Sequence, residues 1–354
     1  MRTSPITPLH IRHGASMQPE DGWNMPHHFS TLPEEHGAAR HGCGIFDISH
    51  LGKFSVTGNG ALAWLEGLLS NSIARCRDGM GQRTLLLREN GGIIDRLLLF
   101  RESAGRFFLL GHAGQRESVY KWISARRQEG PLEFLDETEQ WSGMALVGPQ
   151  SEPLLRRVLP GVELPPAMGF RRLHHREENL LLTRCGITGN EGFELFCRAA
   201  AGISWYERFI ATGAVPCGTH TQECLRIEHG IPCPARDTEP EHTPLQCGLG
   251  HLCRLDKNFI GVEALRRQQS AGTMNRMAAM ECRHTTCAPG GGDAVVDAHG
   301  QQVGHITSAC LSPLSRRGMA LAWLASPLAL PGTHLQIISE GRPLPAIVLG
   351  MPLA

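Results

Sequence analysis

Two opposite charges sit side by side inside an apolar run, GGIIDRLLLF, at residues 91–100. Neighbours on a strand point to opposite faces. Asp95 therefore shares a face with Ile93, Leu97 and Leu99, and Arg96 shares the other with Ile94, Leu98 and Phe100. A carboxylate in such a wall can move a proton or steady a developing cation, whereas a guanidinium there suits an anion. FDISH at 46–50 holds Asp47, Ser49 and His50, the residue types of a nucleophilic triad. Packed within four positions they cannot easily point at one another, so Asp47 reads as a turn or cap residue. Glu194 follows a glycine-rich turn in GITGNEGFEL, and Arg226 and Glu228 lie in THTQECLRIE, where they also read as a helical ion pair.

Other chemistry finds less support. GNG at 58–60 lacks the third glycine and the acidic partner of a dinucleotide fingerprint, and PGGGD at 289–293 has no Lys-Ser/Thr behind it. Twelve cysteines include no CxxC, and the 18 histidines form only scattered doublets, which points to reduced thiols and no metal. Lys plus Arg equals Asp plus Glu at 34 each, so no global field attracts nucleic acid or an anionic membrane. No segment reaches the roughly 20 apolar residues of a membrane span, and the N-terminus lacks the apolar core of a secretory signal. A cytoplasmic protein is expected.

The elements that must position these residues follow from period. EEHGAARH reads as a short helix over about 33–41, GKFSVTGNG as a strand and turn, and ALAWLEGLLS as a helix over 61–70. TLLLREN and IIDRLLLFRE, joined at Asn90-Gly91-Gly92, form a hairpin. RFFLLGH adds a strand and GQRESVYKWISARRQ a helix. GMALVGPQSEPLLRRVL is a strand, a turn and a helix, and NLLLTRCGITGNEGFELFC is a second hairpin-like pair. ISWYERFIATG and THTQECLRIEHG are helical. Short strands with Gly and Pro turns after about 275 suggest a small all-β domain. An α+β chain ending in all-β structure is expected.

Several longer stretches, in order and at matching separations, resemble the aminomethyltransferase (T-protein) family of the glycine cleavage system. They are TPLH, GWNMP, GIFDISHLGKFSVTG, ENGGIID, LVGPQ, GITGNEGFEL, LRIEHG, DKNFIGVEAL and GHITSACLSP. The resemblance implies a three-domain fold: a first α/β domain over 1–50 and 141–270, a ferredoxin-like α+β domain over 51–140 inserted in it, and a C-terminal β-barrel over 271–354. It also implies tetrahydrofolate as cofactor and a lipoyl carrier protein of the H-protein type as partner. Ammonia leaves, and the one-carbon unit passes to folate.

By that resemblance the key acid is the second aspartate of a GGIIDD stretch, where this chain has Arg96; Asp95 is the first. Glu194, Phe100, Arg226 and Arg96 fall at folate-facing positions, Glu194 against the pterin edge and Phe100 against its ring. Ile187 stands in place of a tyrosine, Gln222 in place of an arginine, and Arg83 and His112 in place of a tyrosine and an asparagine. The final GMPLA carries no basic run. A divergent folate-dependent methyltransferase or demethylase, or a non-catalytic relative of the same fold, are the alternative readings. An iron–sulfur assembly factor of this fold is disfavoured, because its KGC-type signature is missing at 229–237.

Overall fold

Apolar periodicity becomes regular structure through most of the computed structural model, which describes residues 1–127, 131–175, 177–234, 236–283 and 287–351. The chain opens with β1 (Arg2–Thr3), α1 (Thr7–Arg12), β2 (Ser16–Glu20), β3 (Trp23–His28) and α2 (Leu32–His41). Then come β4 (Gly44–Asp47), β5 (Gly52–Gly58), α3 (Ala61–Leu68), β6 (Met80–Leu87), β7 (Ile93–Ser103), β8 (Arg106–Gly111), α4 (Arg116–Ser124) and β9 (Leu132–Asp136). They are followed by β10 (Trp141–Val147), α5 (Ser151–Val158), β11 (Phe170–His175), β12 (Glu178–Thr183), β13 (Gly192–Arg198), α6 (Gly202–Ala211), β14 (Val215–Cys217) and α7 (Thr219–Glu228). Last are α8 (Val262–Ala271), β15 (Asn275–Cys282), β16 (Ala294–Val296), β17 (Gln302–Leu311), β18 (Gly318–Ala325), β19 (His334–Ser339) and β20 (Arg342–Gly350). No described helix is long and apolar enough to cross a membrane.

The chain divides into two units. The first takes Met1–Leu68, Ser72–Thr84 and Asp95–Gln222; the second takes Leu69–Asn71, Leu85–Ile94 and the chain from Glu223 onward. In the first unit a six-stranded sheet runs β11-β12-β13-β10-β4-β14. Met144 and Leu146 of β10 and Leu195 and Cys197 of β13 share its inner face, as period 2 requires. Against them pack Leu154 and Leu155 of α5 and Trp205, Tyr206 and Phe209 of α6, which recur at helical spacing. A five-stranded sheet runs β6-β7-β8-β5-β9. One of its faces stacks Phe54 on Phe134, with Trp64 of α3 set edge-on to the same ring. Its other face meets the six-stranded sheet, Phe108 lying 6.1 Å from Phe196 between ring centroids.

The second unit is built on a closed barrel, β15-β18-β17-β16-β19-β20. Ala278, Met280 and Cys282 alternate inward on β15, and Ala320, Ala322 and Leu324 do so on β18. These small side chains let a six-stranded ring close around a filled interior. The expected α+β class with an all-β end is what the structure has.

Some elements escape the sequence patterns. Pro19 interrupts β2 and Pro26 interrupts β3, so a small N-terminal sheet of order β1-β3-β2 carries little strand signal. β9, β11, β14, α1 and α8 are likewise additions to the expected set. The helix expected over 61–70 stops at Leu68, because Leu69 bridges to Leu86 instead. The expected lack of a basic C-terminal run falls on residues 352–354, outside the described residues.

Candidate functional site

Strand alternation decides where the charge pair of β7 goes. Asp95, Leu97 and Leu99 are wholly buried, while Arg96 and Leu98 are half-buried on the opposite face. Among the described residues the carboxylate of Asp95 accepts two main-chain donors, the Arg96 N–H at 2.8 Å on Oδ1 and the His112 N–H at 2.9 Å on Oδ2. Room for it comes from Gly111, where an added Cβ would stand 2.7 Å from Oδ2. Burial lifts its pKa from 3.8 to about 6, against the opposing pull of His112, the two N–H bonds and Arg96.

Glu194 is placed by cross-strand register. It pairs with Thr183 on β12 and Ala145 on β10, and its neighbours Phe193 and Leu195 point into the helical core, so its own side chain takes the other face. There it is 1% exposed. It accepts from the Thr183 hydroxyl, from the Cys185 N–H at 3.2 Å and from the Gly186 N–H, which ties the strand to its glycine-rich turn. Arg83 closes the same turn, donating to the carbonyls of Cys185 at 2.8 Å and Gly186 at 3.2 Å. Burial raises the Glu194 pKa, with the Thr183 bond, the two N–H bonds and the Arg83 charge opposing it.

Phe100 is fully enclosed and stacked on Phe170 at 5.2 Å. Arg226 belongs to the second unit, and all five of its N–H groups have partners there. Nε and an Nη2 hydrogen go to Glu223, Nη1 to the Ile231 carbonyl and to Asp237, and Nη2 also to Ser308. The ion pair expected with Glu228 is therefore made with Glu223 and Asp237 instead. Glu228 accepts from Ser312, 84 residues further on.

Asp47 organises the first unit, as expected of a residue in FDISH, though from a deeper position than a surface turn. Its Oδ2 accepts from Ser4 and from His10 Nε2 at 2.8 Å, and Oδ1 from the Ser49 N–H at 2.8 Å. Burial opposes its ionisation, yet the bond and charge of His10, with Ser4 and Ser49, hold its pKa down at about 2. Nearby, Lys53 is wholly buried and donates to the carbonyls of Ser49 at 2.8 Å and Leu51 at 2.9 Å. Desolvation drops its pKa to about 7. The sequence signal for that site is a single lysine in the otherwise buried start of GKFSVTG. The triad-like trio stays apart in role, with His50 buried, its Nδ1 unpartnered and its pKa lowered by desolvation to about 4.

With that geometry established, comparison with known proteins is informative. The GCVT N-terminal domain model matches residues 6–257, and the glycine cleavage T-protein C-terminal barrel domain model matches residues 275–354. The chain belongs to the glycine cleavage T-protein family. An aminomethyltransferase of Geobacillus kaustophilus is 32% identical over 361 residues, covering 99% of this chain and 98% of that protein. One from Synechococcus sp. strain RCC307 is 34% identical over 358 residues, with 99% and 98% covered. The crystal structure of the glycine cleavage system aminomethyltransferase T from Bartonella henselae superposes with a TM-score of 0.93 at 25% identity, covering all of this T-protein relative and 98% of that chain. A barrel that closes the chain in this structure is thus a family feature.

Proposed function

We propose that this protein carries out tetrahydrofolate-dependent aminomethyltransferase chemistry, with the aminomethyl group delivered on a lipoyl carrier protein. Asp95 takes the role of working carboxyl in place of position 96, although strand alternation sets the two on opposite faces of β7. The reading rests on one observation above all: Asp95 is a wholly buried carboxyl that accepts from main-chain N–H groups, with no side-chain ion pair closing on it among the described residues, and burial lifts its pKa to about 6. Such a group takes and returns a proton close to neutrality, as a general acid–base catalyst must.

Glu194 fits the pterin edge. Its three bonds use three of the roughly four lone-pair positions a carboxylate offers, which leaves capacity for one ligand N–H. Tetrahydrofolate, when bound, supplies the amine that takes up the one-carbon unit. The chain's own part is to orient that ligand through Glu194, to steady developing positive charge with ionised Asp95, and to hold or release a proton at Asp95 Oδ1 or Oδ2. Phe100 then supports the wall by stacking on Phe170, and Arg226 holds its own unit together through its five bonds. Arg96, on the opposite face of β7, adds a cation that favours the ionised form of Asp95.

Folate-dependent ammonia release from an aminomethylated carrier tests this directly. Asp95→Asn should lower the rate by about 10²–10⁴-fold while folate affinity persists. Full activity in that variant would overturn the assignment, and a higher rate in Arg96→Asp than in the parent would move the working acid to position 96.

A further inference from the structure

Behind Asp95 lies a segment whose residues are not accounted for by ligand binding. Gly111 ends β8 and His112, Ala113 and Gly114 follow it directly, and a carboxylate stands close against each of the two glycines. A Cβ at Gly111 would meet Asp95 Oδ2 at 2.7 Å, and one at Gly114 would meet Asp21 Oδ1 at 2.9 Å. His112 sits between them. Its N–H donates to Asp95 Oδ2 at 2.9 Å, and its Nδ1 lies 3.6 Å from Asp21 Oδ2. Asp21 is fixed in the tight turn between β2 and β3, with φ of 49° followed by 82° at Gly22.

We propose that His112, held by Asp21, is a positioning residue that sets the charge of Asp95. The proposal rests on the reading of Asp95 as the working carboxyl, and it concerns residues of the first unit alone.

The imidazole has two states that the geometry distinguishes. Neutral, with Nδ1 unprotonated, it accepts from the Gly114 N–H at 3.3 Å and caps the turn that begins there. Protonated at Nδ1, it loses that bond and faces Asp21, an opposite charge at ion-pair distance. A positive charge on the ring, beside an N–H already bonded to Asp95, favours ionised Asp95. The other charged groups acting on these residues are Arg96 on Asp95, and His50 together with Lys53 and Asp47 behind it. His50 is buried and biased towards its neutral form, so it does not compete for the proton.

The test needs no folate. The Asp95 carboxyl is followed by carbon-13 NMR in the full-length protein through a pH titration, its signal assigned by loss in Asp95→Asn. His112→Asn keeps the main-chain N–H but removes the ring, and should raise the Asp95 midpoint by about half a unit or more. Asp21→Asn should raise it in the same direction by less. His112→Lys, a cation throughout the range, should lower it. A midpoint unchanged in both His112→Asn and Asp21→Asn overturns the proposal, and Asp21→Asn decides alone if the first variant does not fold. If the midpoint moves as expected but the pH–rate profile of ammonia release does not follow it, the tuning stands and the catalytic reading of Asp95 falls.

Discussion

Asp47→Asn should unfold the first unit more readily than any other single polar substitution in FDISH. In the native protein the carboxylate is fully buried and takes Ser4, His10 and Ser49 as donors. Its pKa falls from 3.8 to about 2. At about 1.4 kcal/mol per unit, that is a contribution of about 2–3 kcal/mol at neutral pH. An amide cannot satisfy all three donors, and it strands His10, which is wholly buried and already has an unpartnered Nδ1. Breaking a buried charged pair by removing one partner costs about 3–5 kcal/mol, so that is the expected loss. Amide hydrogen exchange of β4 and β10, whose main chains pair at Met144↔Asp47, reads it locally. The sign with pH follows from the depressed carboxyl: its contribution is complete above about 3.8 and is lost as pH falls through about 2. A loss under about 1 kcal/mol at pH 7, or a parent protein whose β4 protection is unchanged between pH 5 and 2, would refute this account.

Two further outcomes are expected. Lys53 gives up its proton near pH 7 in the folded chain and near 10.5 when unfolded, so the parent should gain stability as pH rises between those values; Lys53→Met should abolish that slope in denaturant midpoints measured from pH 6 to 10. Gly111→Ala places a methyl 2.7 Å from Asp95 Oδ2 and 3.0 Å from Leu97 Cδ2, and should cost about 1–3 kcal/mol in urea unfolding at pH 7.

The charge pair shows what was legible in the sequence. Alternation alone placed Asp95 with Leu97 and Leu99 and set Arg96 on the other face, because a buried strand has no freedom to do otherwise. Glu194 was legible as a candidate from its turn-and-strand context, and its burial follows from register. What could not be read were partners supplied by distant segments. Asp21 announces itself only as the first half of an Asp-Gly turn, and nothing in its neighbourhood points to His112, 91 positions away. The Arg226 network is similar: helical spacing offers Glu223, three positions back, whereas Glu228, two positions on, does not face Arg226, and only the fold brings up Asp237 and Ser308. Of the strands that escaped notice, β2, β3 and β14 contain proline and β1 spans two residues, while β9 and β11 are short and carry several charged or polar side chains, so their pairing comes from neighbours rather than from their own pattern.

The edges of the six-stranded sheet have a consequence for how this chain behaves in a crowded solution. One border is β14, three residues long with Pro216 at its centre, and the other is β11, which carries Arg171, Arg172, His174 and His175. A proline offers no N–H to an incoming strand, and charged side chains along an edge, here Arg171 paired with Glu163 and Arg172 with Glu102, disfavour pairing with a second copy. The barrel of the second unit has no border at all. Intermolecular strand addition, the usual route from a β-rich chain to aggregates, meets an obstacle at each of these places, and none of them involves Asp95 or Glu194.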